Sequence, residues 1–180
     1  MTPDKQDMAP NPKIFQNSVL KDVSYVIDCT EIFIENSENY DQQGHTYSSY
    51  KSHTTAKVLN WNSPHGACMG VSDCYEGSIS DRNICIKSGF LDLIKPGVVV
   101  LADKGFNITD LIEQRGGKLI TPAYLKSRKN FNFDEETLGR ITCRARVFIE
   151  CLNERFKNFL IVYGIVPHHL YPILSQLVLN

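Results

Sequence analysis

Apolar residues in this chain fall first into a strand rhythm and then into a helical one. Residues 23–35, VSYVIDCTEIFIE, are rich in Val, Ile, Tyr and Phe and read as a strand. Residues 56–72, AKVLNWNSPHGACMGVS, read as two strands around the turn NSPHG, which completes an antiparallel meander of three. The spacing then changes. In SISDRNICIKSGFLDLI, Ile84, Phe90, Leu91 and Ile94 can share one helical face, with Ser80 or Asp81 as the N-cap. Residues 97–103 hold a continuous apolar run, which suits a strand covered on both faces. NITDLIEQRGG predicts a short helix closed by Gly116, and KLITP a further short strand. DEETLGRITCRARVFIECLNERFKNFL predicts a long helix, opened by acids at its positive end, and the tail VPHHLYPILSQLVLN one more short helix. Three antiparallel strands followed by strands alternating with helices predict an α/β fold, a mixed sheet flanked by helices. Pro3, Pro10 and Pro12 make residues 1–22 a loose lead-in and leave 23–180 as one domain.

Charges interrupt this pattern in two places. Asp28 sits inside the first strand, and Asp103 ends the apolar run VVVLAD. The long helix carries two stripes. Leu138, Ile141, Ala145, Phe148, Leu152, Phe156 and Phe159 recur at three and four residues, the signature of a core face. Arg146, Glu150, Asn153 and Lys157 form a second, polar stripe beside it, able to look into a cleft next to the sheet. Taken alone, that stripe reads first as a solvated face with an Arg146–Glu150 pair at i, i+4.

Composition narrows the field. The formal net charge of -1 gives no global basic footprint for nucleic acid, although residues from Thr121 onward carry eight Lys and Arg against five acids. Lys126, Arg128 and Lys129 cluster in LKSRKNF, a loop that suits either a phosphate path or a solubilising turn. Six cysteines without a CxxC pair predict buried reduced thiols rather than a zinc site or a disulfide framework. No apolar stretch of about 18 residues predicts a membrane span, and the N-terminal residues do not form a signal peptide, so an intracellular protein is expected. Glu31 falls on the opposite face from Asp28. The five histidines have no metal-ligand spacing with the cysteines, and Trp61 reads as a core residue.

The segments VIDCTEIFIE, YSSYKSHTTAK, GSISDR, LADKGF and RVFIECLNERFK, in that order, resemble the DDE superfamily endonuclease domain, most closely that of Harbinger-type transposases and their domesticated derivatives. The resemblance spans roughly Tyr25 to Pro167. It implies a ribonuclease H-like fold that cuts DNA by two-metal-ion catalysis. Asp28, Asp103 and Glu150 stand at the three catalytic acids, with Asp28 bridging two Mg²⁺ or Mn²⁺ ions and the other two each holding one. It also implies phosphate contacts from Arg146 and Lys157, nuclear residence, a separate DNA-binding partner protein and a homodimer as one assembly to consider. Two other readings stay open: a catalytically silent, domesticated or truncated relative acting as a binding or assembly module, and, more distantly, a ribonuclease H-like exonuclease.

Overall fold

The computed structural model describes residues 13–16, 20–35, 47–48, 53–103, 105–121, 135–157, 164–174 and 176. The strands are β1 (Val23–Ile34), β2 (Tyr47–Ser48), β3 (His53–Asn62), β4 (Cys68–Val71), β5 (Tyr75–Glu76), β6 (Val99–Ala102), β7 (Lys118–Ile120) and β8 (Ile165–Val166). The α-helices are α1 (Asp81–Lys87), α2 (Thr109–Glu113) and α3 (Glu135–Lys157). The main path of the sheet runs β2-β3-β1-β6-β7, with β4 and β5 on β3 and β8 on β1. β1, β3 and β4 form the expected antiparallel meander, while β6 and β7 continue it in parallel. The result is a mixed α/β sheet flanked by helices, consistent with a ribonuclease H-like fold.

Local chemistry explains the boundaries. Ser80 caps α1, its hydroxyl accepting from the amide of Asn83 at 3.2 Å. The helix ends at Lys87, and Gly89, at φ 74°, turns the chain into a separate 3-10 turn at Phe90–Leu93. The run from Asp81 to Ile94 is therefore two short elements, yet Ile84, Phe90, Leu91 and Ile94 are all buried as the spacing predicts. In the tail, His168–Ile173 form a 3-10 turn. Before β1, Lys13–Gln16 form another, and Phe15 and Leu20 are buried. The Phe15 ring meets Phe148 of α3 edge-on at 5.0 Å.

Two clusters cover the two faces of the β1–β6 sheet. Ile27, Leu59, Val100 and Ala102 pack on one side with Ile84 and Cys85 of α1 and Ile112 of α2. Val26, Leu101 and Ile120 pack on the other with Ile141, Ala145, Ile149 and Leu152 of α3. Ile141, Ala145, Phe148 and Leu152 of the predicted stripe thus lie on the core face of α3, with Ile149 as an additional member; the side chains of Leu138 and Phe156, and Phe159, lie outside the described residues. Trp61 stacks at a tilt on Phe90, 5.7 Å between centroids, above Gly70. A Cβ on Gly70 would stand 2.4 Å from the indole, so only glycine leaves room for that ring.

The cysteine expectation needs correction. Cys68 and Cys151 are exposed rather than buried. Burial holds for Cys85, whose thiol it pushes up to about 12, and it raises Cys29 well above the ordinary range.

Candidate active site: two aspartates under the long helix

Strand register brings the first two acids together. In the parallel β1–β6 pair, Ile27 lies opposite Ala102. One step further, Asp28 and Asp103 face each other, both on the side covered by α3, because alternate residues of a strand share a face. β6 ends at Ala102 while β1 continues to Ile34. Asp28 therefore sits where β1 loses its parallel neighbour, in the crevice beyond the carboxyl end of a strand, where α/β sheets place their ligands.

The two carboxylates differ. Asp28 is half-buried; one oxygen accepts from the amide of Cys29 at 2.8 Å, and Nδ2 of Asn153 donates to the other. Burial raises its pKa to about 7; the Cys29 bond opposes this, the negative charge of Asp103 adds to it, and the Asn153 bond opposes it again. The Asp103 side chain is 42 % exposed, yet its Oδ1 is shut off from solvent and has no hydrogen-bond partner. Its nearest cation is Arg146, with Nε at 3.8 Å from Oδ1, beyond hydrogen-bonding reach.

α3 meets this pair through the polar stripe. Asn153 is locked in a buried network. Its Oδ1 accepts from the Thr30 hydroxyl at 3.0 Å and from Asn60 Nδ2 at 3.1 Å. Asn60 Nδ2 also donates to Thr30 Oγ1 at 3.2 Å, and Asn62 Nδ2 donates to Asn60 Oδ1 at 2.9 Å. Glu150 lies between Arg146 and Asn153 on the stripe, and its side chain is exposed. Among the described residues, no three Asp, Glu, His or Cys side chains form a group able to hold a metal. The geometry thus brings Asp28 and Asp103 near each other, while Glu150 is exposed on α3 and forms no cluster with them. The side chain of Lys157 and the loop with Lys126, Arg128 and Lys129 lie outside the described residues.

Asn153 is the functional candidate that residue-type reasoning underweighted. Its place in the polar stripe was the available signal, but an amide carries no charge to mark it. The opposite face of β1 neutralises its own charges. Glu31 accepts from the Thr55 hydroxyl at 3.0 Å, on the side away from Asp28 as expected. Lys57 Nζ lies 2.7 Å from Asp81 Oδ1 and donates to the Ile79 carbonyl at 3.1 Å. Asp81 is accordingly an ion-pair partner while Ser80 takes the N-cap. Asp81 also lies under the turn after Asp103, 3.2 Å from where a Cβ on Gly105 would stand. Its neighbour Arg82 pairs with both oxygens of Asp110 at 2.6 Å and donates to the Asn107 carbonyl at 2.9 Å. An open groove of about 990 Å³ at the far end of β1, lined by Phe33, His53, Ile165 and Pro167, is a separate feature.

A mixed sheet thus sets two carboxylates near each other at a strand end, beside a helix with a polar stripe. The model of the DDE superfamily endonuclease family matches residues 27–179, and the chain belongs to that family. No curated protein and no solved structure matches the chain. Members of the family are nucleases that act on DNA and generally use divalent metal ions. Among the described residues no helix is long and apolar enough to cross a membrane.

Proposed function

We propose that residues 23–180 form the catalytic domain of a transposase or transposase-derived endonuclease of the Harbinger type, with 1–22 as its lead-in. The observation that carries this reading is the register of β1 and β6, which sets Asp28 opposite Asp103 on the face that α3 covers. The residues fit a divalent cation. Asp103 Oδ1 is a buried acceptor with no donor, and the half-buried Asp28 has a second carboxylate beside it. Hard cations take such oxygens.

In this reading Asp28, Asp103 and Glu150 hold two Mg²⁺ or Mn²⁺ ions. Bound there, the ions supply an activated nucleophile and neutralise the charge that develops on the attacking and leaving oxygens. The protein's own contributions are positional. β1 and β6 fix two carboxylates on a rigid platform. Glu150, on a longer side chain and exposed, reaches the same place from the helix. Arg146 guides a phosphate beside Asp103, and Lys157, Lys126, Arg128 and Lys129 line the DNA path. A chain with a net charge of -1 gains little from the phosphate backbone alone, which favours a separate DNA-binding partner protein, or a second copy in a homodimer, working with it in the nucleus.

The exposed Glu150 and the hydrogen bond from Asn153 to Asp28 favour a second reading, a silent module that keeps the scaffold for binding or assembly. A supercoiled-plasmid nicking assay with Mg²⁺ or Mn²⁺ decides between them. Nicking that disappears in Asp103→Asn and Glu150→Gln is the expected result. Nicking that survives both substitutions contradicts the assignment of the acids, and none in the unmodified protein supports the silent module.

A further inference from the structure

The amide of Asn153 has one orientation available to it. Two donors, the Thr30 hydroxyl at 3.0 Å and Asn60 Nδ2 at 3.1 Å, converge on its Oδ1. Its Nδ2 must then face the other way, toward Asp28 Oδ2. The donors are themselves fixed. Thr30 and Asn60 are 1 % and 2 % exposed, and Asn62, 8 % exposed, donates to Asn60 Oδ1. The chain of dipoles therefore runs one way, from Asn62 through Asn60 and Thr30 into Asn153, and ends on the carboxylate. A buried side-chain network with every link made holds its members in one geometry.

This network ties α3 to β1 at one point along the helix. Glu150 precedes Asn153 by three residues, roughly 4.5 Å along the axis at the α-helical rise. Arg146, one turn earlier, lies 3.8 Å from Asp103. Glu150 thus stands between Asn153, bonded to Asp28, and Arg146, close to Asp103. The rest of the helix contact is apolar packing of Ile141, Ala145, Ile149 and Leu152, which resists separation but sets rotation less sharply than a directional bond.

We propose that Asn153 is a positioning residue, which with Thr30 and Asn60 sets the rotation of α3 and so places Glu150 over Asp28 and Asp103 to complete a divalent-cation site. The inference rests on the metal-dependent reading above and adds the device that assembles the third ligand. Asn153 acts by orienting Asp28 and the helix, not by touching DNA. A residue behind the metal ligands typically changes metal affinity by about 10–100-fold.

Mn²⁺ binding, measured by calorimetry on the whole chain without DNA, tests it in five variants beside the unmodified protein. Asn153→Leu keeps the side chain's size and removes the network, and should weaken Mn²⁺ binding by about tenfold or more. Thr30→Val removes only a buried hydroxyl behind Asn153 and should weaken binding about threefold to tenfold; Thr30→Ser keeps the hydroxyl and should restore it. Asn153→Leu should weaken binding less in a Glu150→Gln background than in the unmodified protein, because part of the amide's effect runs through the glutamate and the rest through Asp28. Should Asn153→Leu fail to fold, the Thr30 pair carries the comparison unaided. Unchanged Mn²⁺ affinity in Asn153→Leu and Thr30→Val, with binding intact in the unmodified protein, overturns the positioning role and leaves the nuclease reading standing. No Mn²⁺ binding by the unmodified protein overturns both.

Discussion

The two faces of β1 handle charge in opposite ways. On the face that carries Cys29 and Glu31, acids are matched: Asp81 meets Lys57 at 2.7 Å, and Glu31 takes the hydroxyl of Thr55. On the face under α3, Asp28 feels the charge of Asp103, and Asp103 Oδ1 has no hydrogen-bond donor, with Arg146 standing off at 3.8 Å. One strand and one sheet supply both environments, so the fold does not require the second arrangement. Paired charges are what packing alone selects, and a carboxylate pair left unmatched in a crevice marks a site kept for a ligand.

The matched face should break most easily. Asp81→Ala leaves Lys57, whose side chain is only 13 % exposed, without its ion partner. We expect a loss of about 3 kcal/mol in denaturant unfolding, the usual cost of stranding one member of a largely buried pair. Replacing both, with Lys57→Met and Asp81→Leu, should recover most of that loss. A double variant as unstable as Asp81→Ala would show that the pair is not an isolated unit. The apolar part of the same face responds to crowding. Gly70→Ala drives a methyl into the Trp61 ring and should cost about 2 kcal/mol, read from the same unfolding curves.

The unmatched face should do the reverse. Asp28→Asn should stabilise the metal-free protein at pH 8 by roughly 1–2 kcal/mol while abolishing its metal-dependent activity, as expected where function keeps a strained charge. The pH dependence follows from the raised value of about 7. The folded state holds the Asp28 proton more tightly than the unfolded chain, whose carboxylate titrates near 4. Its contribution to stability is complete below about pH 4 and is lost as the pH rises through 7. The stability difference between Asp28→Asn and the unmodified protein should therefore grow from pH 5 to pH 8. A constant difference would show that Asp28 titrates normally.

This contrast bears on what the sequence reveals. The meander, the strand expected at 97–103 and found at Val99–Ala102, and the described part of the core stripe of α3 were legible because burial writes its period directly into the residues. The two aspartates were legible because a charge inside an apolar strand is conspicuous. The network behind them was not. Thr30, Asn60 and Asn62 look like ordinary polar strand residues, and only the pairing of Asp28 with Asn60 across β1 and β3 brings them under Asn153. The break at Gly89 was hidden for a related reason, since a helix and a 3-10 turn in succession can bury the same residues as one longer helix. Lys57 and Asp81 lie 24 positions apart, and nothing local announces their pairing.

The central claim, that Asp28 and Asp103 form an unmatched carboxylate pair built for a divalent cation, is tested most directly by following the Asp28 carboxyl carbon by NMR during a pH titration, with and without Mg²⁺. The account predicts a midpoint near 7 in the metal-free protein and a fall of at least one unit when Mg²⁺ is added, because a bound cation favours the ionised form. A midpoint near 4 that Mg²⁺ leaves unmoved would contradict it.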